Sequence, residues 1–426
     1  MNRDIKIAKG FRLLLAFCLT VFLQTAALSQ SDHQSQFLQK LGVLDSLDSK
    51  ILNETREIYV QLPDSYSPDS KQKYPVVYIL DGKVLLPAVN AVQSFYSGGF
   101  TPEMVLVGIV TDKNRTRDLT TSTITTKYGM PFQQENGKAA NFRSFLEKEL
   151  IPFVEKTYPV TSYRTLVGHS YGSLFAVATL MELPDLFANY LAIDPSLDWD
   201  DQKLLKQAQR TLADRNLDGK ALYVSLSGQL HMQNSQITID NVMQDTTDFT
   251  LFPRSNMEFS NLVKANSQNG LAYSWKFYPK DIHGTVSFPS LMDGLISLFK
   301  WYQMEHTDKL NSFDTSKEEL SNIITYREQK LKDHFGYSEA PYPKELMTMM
   351  GYMNLDMQEI EKSKMYFELA IKHYPKSADA YSSIADYYEA QDNAPDAIKS
   401  LNKAYELSGD IQYKNRVENL KIKYKK

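Results

Sequence analysis

The sequence predicts an α/β protein, a mainly parallel sheet flanked by helices, followed by a small all-α helical-repeat domain. Three observations carry this. Short apolar strands alternate with helical stretches from about Ile51 to Tyr302. The chain then turns charged and poor in strand formers, and beyond Tyr342 its residues recur with a period of 34. At 426 residues the chain exceeds one ordinary hydrophobic core. A composition of 42% hydrophobic and 23% charged residues is that of a globular protein. The net charge of −4 lacks the basic excess of a nucleic-acid binder, so no nucleic-acid partner is expected.

The first element reads as a targeting segment. Arg3, Lys6, Lys9 and Arg12 precede an apolar run from Leu13 to about Phe22, and Ala27 and Ser29 supply the small residues of a cleavage site before Gln30. The run is short for a membrane span, so residues 1–29 are expected to be a signal peptide and the mature chain to have no membrane span. Periplasmic or secreted export follows. The one cysteine, Cys18, lies inside this run, which leaves the mature chain without thiol or disulfide chemistry.

The strands follow in order. Glu57–Leu62 alternates with period two, as a half-exposed edge strand does. Tyr74–Leu80 is continuously apolar and ends at Asp81-Gly82, and Met104–Val110 is a second buried run. Residues 139–156 place Phe142, Phe145, Leu146, Leu150 and Phe153 on one helical face. Arg164–Val167 is a short strand and Ser173–Leu183 an apolar helix; further strands are expected at Tyr190–Ile193, Ala221–Leu226 and Tyr273–Tyr278, and a closing helix at Pro289–Tyr302. Strands apolar throughout and separated by helices imply a parallel sheet covered on both faces.

Between that strand and helix stands Gly168-His169-Ser170-Tyr171-Gly172, a complete G-x-S-x-G in the strand–turn–helix setting of an α/β-hydrolase nucleophile elbow. Ser170 is the expected nucleophile. A serine hydroxyl needs a base, and in this fold the histidine follows the last strand. His283, in Asp281-Ile282-His283-Gly284 directly after Tyr273–Tyr278, fits that place; His231 and His306 do not. The acid should follow Ala221–Leu226, yet Ser227-Gly228-Gln229-Leu230-His231 holds none. Asp240, Asp245, Asp248, Glu258 and Asp281 remain, with Glu258 the first choice, beside the alternative of a serine–histidine pair with another acceptor. Oxyanion donors are expected from the N–H of Tyr171 and of Gly82 or Lys83, in the loop after Tyr74–Leu80. Arg115 and Arg117, after Met104–Val110, would sit at the carboxyl edge of the sheet, where one of them contacts an acidic substrate group or forms a structural ion pair. No H-E-x-x-H, Cys/His cluster or glycine-rich phosphate loop is present, so no metal or cofactor is expected.

Together, Val77-Tyr78-Ile79-Leu80-Asp81-Gly82, Asn114-Arg115-Thr116-Arg117-Asp118, the elbow, and Tyr278-Pro279 through His283-Gly284 make the segment from Glu57 to Phe299 resemble the putative-esterase family of α/β-hydrolases, in particular its enterochelin-esterase-like members. The resemblance implies ester hydrolysis with Ser170 and His283 as nucleophile and base. Some members of that subgroup work with a serine–histidine pair. Family substrates include siderophore, thioester, feruloyl and acetyl esters, and some members transfer acyl groups to sugars, so a small-molecule or glycan ester is the expected substrate class.

In the C-terminal part, Gly351 aligns with Ala385, Phe367 with Leu401, Ala370 with Ala404 and Pro375 with Gly409. With Tyr381, Tyr388 and Ala397 these resemble the tetratricopeptide repeat, although Met347 and Asn354 stand where that repeat has large aromatics. A last helix over Ile411–Tyr424 would cap the array. Two repeats are few to stand alone, so the domain is expected to pack on the hydrolase or on a protein partner. The expected divisions are therefore 1–29 (signal peptide), 30–305 (esterase domain), 306–341 (helical linker) and 342–426 (repeats). A second reading keeps the hydrolase as a weakly active or inactive scaffold and gives the function to the repeats.

Overall fold

The computed structural model describes residues 41–68, 72–97 and 99–424, and Leu44–Lys426 form one compact unit. The expected signal peptide lies outside the described residues. Among them, no helix is long and apolar enough to cross a membrane.

Eight strands form one sheet: β1 (Val43–Ser49), β2 (Glu54–Gln61), β3 (Tyr74–Ile79), β4 (Val105–Ile109), β5 (Val160–His169), β6 (Asn189–Ile193), β7 (Ala221–Ser227) and β8 (Ala272–Tyr278), in the order β1-β2-β4-β3-β5-β6-β7-β8. β2 runs antiparallel to β4, and from β4 to β8 every neighbouring pair is parallel. The continuous apolar runs are the central strands: every residue of β3, β4 and β6 is buried. Their pleat divides the core. Val76, Tyr78, Leu80, Leu166, Tyr190 and Ala192 face one layer, and Val77, Ile79, Val167, Leu191 and Ile193 the other.

The first layer is covered by α2 (Ala139–Phe145, continued by a π turn at Leu146–Leu150 and by Ile151–Thr157) and α3 (Tyr171–Glu182). Pro152 sits in the turn after the π segment, where it has no N–H to return to the carbonyl four residues back. The opposite layer is covered by α1 (Gly82–Tyr96) and, after α4 (Trp199–Thr211) and α5 (Leu251–Ala265), by α6 (Ser287–Leu298). β1 escapes the sequence reading because Val43-Leu44-Asp45-Ser46-Leu47-Asp48-Ser49 lacks a period-two apolar pattern and lies at an exposed edge.

After residue 306 the chain is helical: α7 (Lys317–Phe335), α8 (Lys344–Asp356), α9 (Ile360–His373), α10 (Ala378–Ala390), α11 (Ala394–Ser408) and α12 (Ile411–Lys423). Ser316 caps α7 by accepting from the Glu319 N–H, and Gly336 ends it at φ 77°. The pairs α8/α9 and α10/α11 begin 34 residues apart. Gly351 lies against the Phe367 ring, where an added Cβ would come within 2.5 Å of it.

α8–α12 pack around apolar clusters of their own, such as Tyr342, Met347, Met350 and Tyr366, and α7 joins them to the sheet. Leu331 and Phe335 of α7 belong to the core layer beneath α1 and α6, and the Phe335 ring meets Tyr163 and Trp301 edge-on, each at 5.0 Å. Arg327 lies between the Tyr302 and Tyr342 rings and donates to the carbonyls of Tyr302, Gln303 and Pro341.

Candidate active site

β5 delivers Ser170 to the carboxyl edge of the sheet and α3 starts at the next residue. Ser170 has φ 58° and ψ −114°, a backbone shape that costs on the order of 1–3 kcal/mol and persists only where neighbours enforce it. Its N–H donates to Ile193 O at 3.0 Å, and its carbonyl accepts from Ser173 and Leu174. A Cβ at Gly168 would collide with the Gly172 backbone, whereas one at Gly172 would meet only ordinary contacts. The steric demand of the motif therefore falls on Gly168. The Ser170 hydroxyl is hydrogen-bonded to Ser196 Oγ at 3.2 Å.

His283 sits in the turn between β8 and α6, beside the elbow. Its Nδ1 lies 2.7 Å from Oδ2 of Asp194, whose side chain is fully buried. The second carboxylate oxygen of Asp194 accepts the Ser227 N–H at 2.9 Å. A carboxylate accepts only, so Nδ1 carries the proton and Nε2 keeps the free lone pair that a general base needs. The Phe252 edge and the His169 ring, 5.4 Å and 4.6 Å away, flank the imidazole.

The expected acid is thereby corrected. Glu258, on α5, accepts from Gln202 at 3.4 Å, and the carboxylate on His283 is Asp194. Asp281 accepts from Thr285, and Asp245 from Thr247 and Thr250. The expected place for the carboxylate was after β7, and Asp194 follows β6. Its signal was available: Asp194 directly ends the apolar strand Tyr190–Ile193. The loop after β7 has another task. Gln229 Oε1 accepts the His283 backbone N–H at 3.1 Å, and the Gly228 N–H donates to Asp281 O at 2.8 Å. Where an acid was expected, this chain places residues that anchor the base loop.

Asp81-Gly82-Lys83 opens α1 rather than forming a free loop. Asp81 is its N-cap at φ 53°, and Gly82 packs so closely on Gly108 of β4 that a Cβ would collide with backbone. The N–H groups of Gly82, Lys83, Tyr171 and Gly172 lie in first helical turns, which offer them no intrahelical acceptor. Both helix starts meet here, since Leu80 and the Asp81 carboxylate are the nearest side chains to Gly172. The start of α1 therefore lies beside the start of α3.

Neither arginine is a free anion receptor. Arg117 pairs with Glu54 and Asp118, away from Ser170. Hydrogen bonds from Arg117 and the charge of Arg56 hold the Glu54 carboxyl below its usual range despite the opposing effect of burial. Arg115 donates to both oxygens of Asp81 and to the His169 carbonyl, each at 2.9 Å. Lys127 donates to the Tyr171 hydroxyl at 3.3 Å. Its ammonium stands over the rings of Tyr128, Tyr171 and Trp199 at 5.1, 5.3 and 5.3 Å, with Asp198 at 3.7 Å. Exposed apolar side chains neighbour these groups in the chain: Tyr128 and Met130 beside Lys127, Ile282 beside His283, and Phe249 against His231. Among the described residues, no group of three His, Cys, Asp or Glu could hold a metal ion.

Comparison with known proteins agrees with this layout. The family model described as Putative esterase matches residues 49–266, just over half of the chain. Ferri-bacillibactin esterase BesA of Bacillus subtilis is 28% identical over 218 residues, 46% of this chain and 73% of that protein. The siderophore enterobactin esterase of Emericella nidulans is 32% identical over 186 residues, 40% of this chain and 59% of that protein. Among solved structures, an IroE-like serine hydrolase from Shewanella oneidensis superposes with a TM-score of 0.62 at 27% identity, covering 77% of this chain and 98% of that one. An uncharacterised protein from Capnocytophaga ochracea, 17% identical, shares the fold alone: its TM-score is 0.56, over 89% of this chain and 99% of that one.

Proposed function

The chain belongs to the Putative esterase family, and on that premise we propose that it is an exported serine esterase that cleaves carboxylic esters through an acyl-enzyme on Ser170. The observation that carries this reading is the 2.7 Å bond from His283 Nδ1 to buried Asp194, beside a serine held at φ 58° on the elbow. Ser170 Oγ attacks the ester carbonyl carbon and its proton passes to His283 Nε2. Asp194 holds the imidazole and stabilises its charged form. The oxyanion is met by N–H groups of Tyr171 and of Gly82 or Lys83. Collapse breaks the bond to the alcohol, which leaves with the proton from His283. Water then attacks the acyl-enzyme, gives its proton to His283, and releases the acid and free Ser170.

For substrate we propose a siderophore ester. Two relatives act on siderophores by name, and exposed Ile282 precedes His283 while exposed Tyr128 follows Lys127, which donates to the Tyr171 hydroxyl. Export rests on the basic-then-apolar residues 1–29. The helices after residue 342 we read as two tetratricopeptide-like repeats with a capping helix, supported by the 34-residue spacing of their pairs.

The test is intact-mass analysis after a fluorophosphonate probe, together with enterobactin hydrolysis, for the mature protein and Ser170→Ala. One adduct and ester turnover in the wild type, both absent in the variant, are expected. A wild type without adduct or turnover sinks the esterase reading and returns the question to the helical repeats.

A further inference from the structure

We propose that Arg115 is a positioning residue that sets the spacing between the two oxyanion donors. The proposal rests on the esterase reading above and replaces the role of substrate contact expected for this arginine.

Arg115 touches both halves of the site from behind. Its Nε and Nη2 donate to the two carboxylate oxygens of Asp81 at 2.9 Å each, a bidentate pair whose plane is fixed by the fork of the guanidinium. The same Nη2 donates to the carbonyl of His169 at 2.9 Å. The guanidinium carbon stands 5.5 Å from the centre of the Tyr171 ring. One planar group thus holds the residue before Gly82, the residue before Ser170 and the side chain of the residue after it.

That bidentate pair holds Asp81 at φ 53° and ψ 41°, a left-handed shape that aspartate adopts more readily than most non-glycine residues. Its carboxylate accepts from Thr111 Oγ1 at 2.5 Å as well as from Arg115. Its main chain starts α1, so any rotation of Asp81 re-aims the N–H groups of Gly82 and Lys83. Oxyanion donors act within a few tenths of an ångström, at about 2.7–3.1 Å from the charge. A displacement near 1 Å costs on the order of 100-fold. Lysine cannot replace this strut, because one ammonium cannot meet both carboxylate oxygens and a carbonyl in a single plane.

The experiment measures kcat and KM on an activated short-chain ester, and the rate of fluorophosphonate labelling at Ser170, for wild type, Arg115→Gln, Arg115→Lys, Asp81→Asn and the Arg115→Gln/Asp81→Asn double variant. A strut predicts that Arg115→Gln lowers kcat and the labelling rate by about 10- to 100-fold. KM should stay within about threefold, and the midpoint of the pH–rate profile should not move. Arg115→Lys should recover part of the loss, and the double variant should be no worse than the worse single one. A folded Arg115→Gln with wild-type kcat and labelling overturns the proposal while the esterase reading stands. A change confined to KM also overturns it, in favour of substrate contact. If Arg115→Gln does not fold, Arg115→Lys decides, and full kcat in that variant overturns the strut. A wild type that neither labels nor turns over removes the esterase reading and the strut with it.

Discussion

His169 donates its Nε2–H to the carbonyl oxygen of His283 at 2.9 Å, so the residue before Ser170 holds the backbone of His283. That carbonyl can only accept, which places the proton of neutral His169 on Nε2. Burial, and then the neighbouring His283, push the His169 imidazole down to about 4 from the ordinary 6.5. The unfolded chain therefore binds more protons between those two values, and stability is lost as pH falls through that window. His169→Gln keeps a donor for the carbonyl and removes the titration. Urea unfolding at pH 7 and pH 5 should show a smaller acid loss for the variant than for wild type. Equal losses would refute the assignment.

Asp194 is the acid to remove. Its carboxylate is fully buried, and its two oxygens are taken by His283 Nδ1 and the Ser227 N–H. Asp194→Asn offers His283 an amide in place of a carboxylate and loses the charge that stabilises imidazolium. A fall in kcat of about 10²- to 10⁴-fold is expected, with KM little changed. Glu258→Gln, at the position favoured from sequence, should stay within about twofold of wild type, because Glu258 meets Gln202 and not His283. Reversed effects in steady-state assays would restore Glu258.

The particular residues show why some of this was legible and some was not. β3 and β4 stand in the sequence almost to their ends, because a strand buried on both faces must be apolar throughout. The positions of Ser170 at a strand–helix turn and of His283 after the last strand are legible because the local pattern of strand and helix sets them. Asp194 ends an apolar strand in plain view, but its contact with His283 depends on which strand end lies beside the histidine, and that is set by the sheet order. α4 and α5, though amphipathic, begin irregularly: α4 crosses a left-handed stretch at Asp200, Asp201 and Gln202, and α5 carries Pro253 in its first turn. The arginines were placed at the correct sheet edge, but their partners Asp81 and Glu54 come from distant segments.

A second titration is expected at the seam between sheet and helices. Glu339, between α7 and α8, is pushed up to about 7 by burial and by the charge of Glu103, against a bond from the Ala340 N–H. Tyr74, Tyr302, Tyr337 and Tyr374 also feel its charge. Here the folded chain binds the extra proton, so this stabilising contribution is lost as pH rises from about 4.5 through 7. Glu339→Gln should therefore raise the melting temperature relative to wild type at pH 8 and change it little at pH 4. A variant with the same difference at both values would show that Glu339 does not titrate between them.

The sheet and the helices should unfold together. Leu331 of α7 is fully buried in the layer shared with Val77, Leu291 and Phe299, and Arg327 ties α7 to the chain on both sides of it. All three tryptophans precede residue 306, and Trp199 and Trp275 report the sheet part while Trp301 also feels Phe335 of α7; far-ultraviolet dichroism follows the helices beyond it as well. Coincident denaturation curves by the two probes are the mark of one cooperative unit. Leu331→Ala leaves a cavity in the shared layer and should lower stability by about 2–5 kcal/mol. Both curves should move by the same amount. If dichroism shifts while tryptophan fluorescence stays in place, the helices unfold on their own, and the shared layer does not couple the two parts.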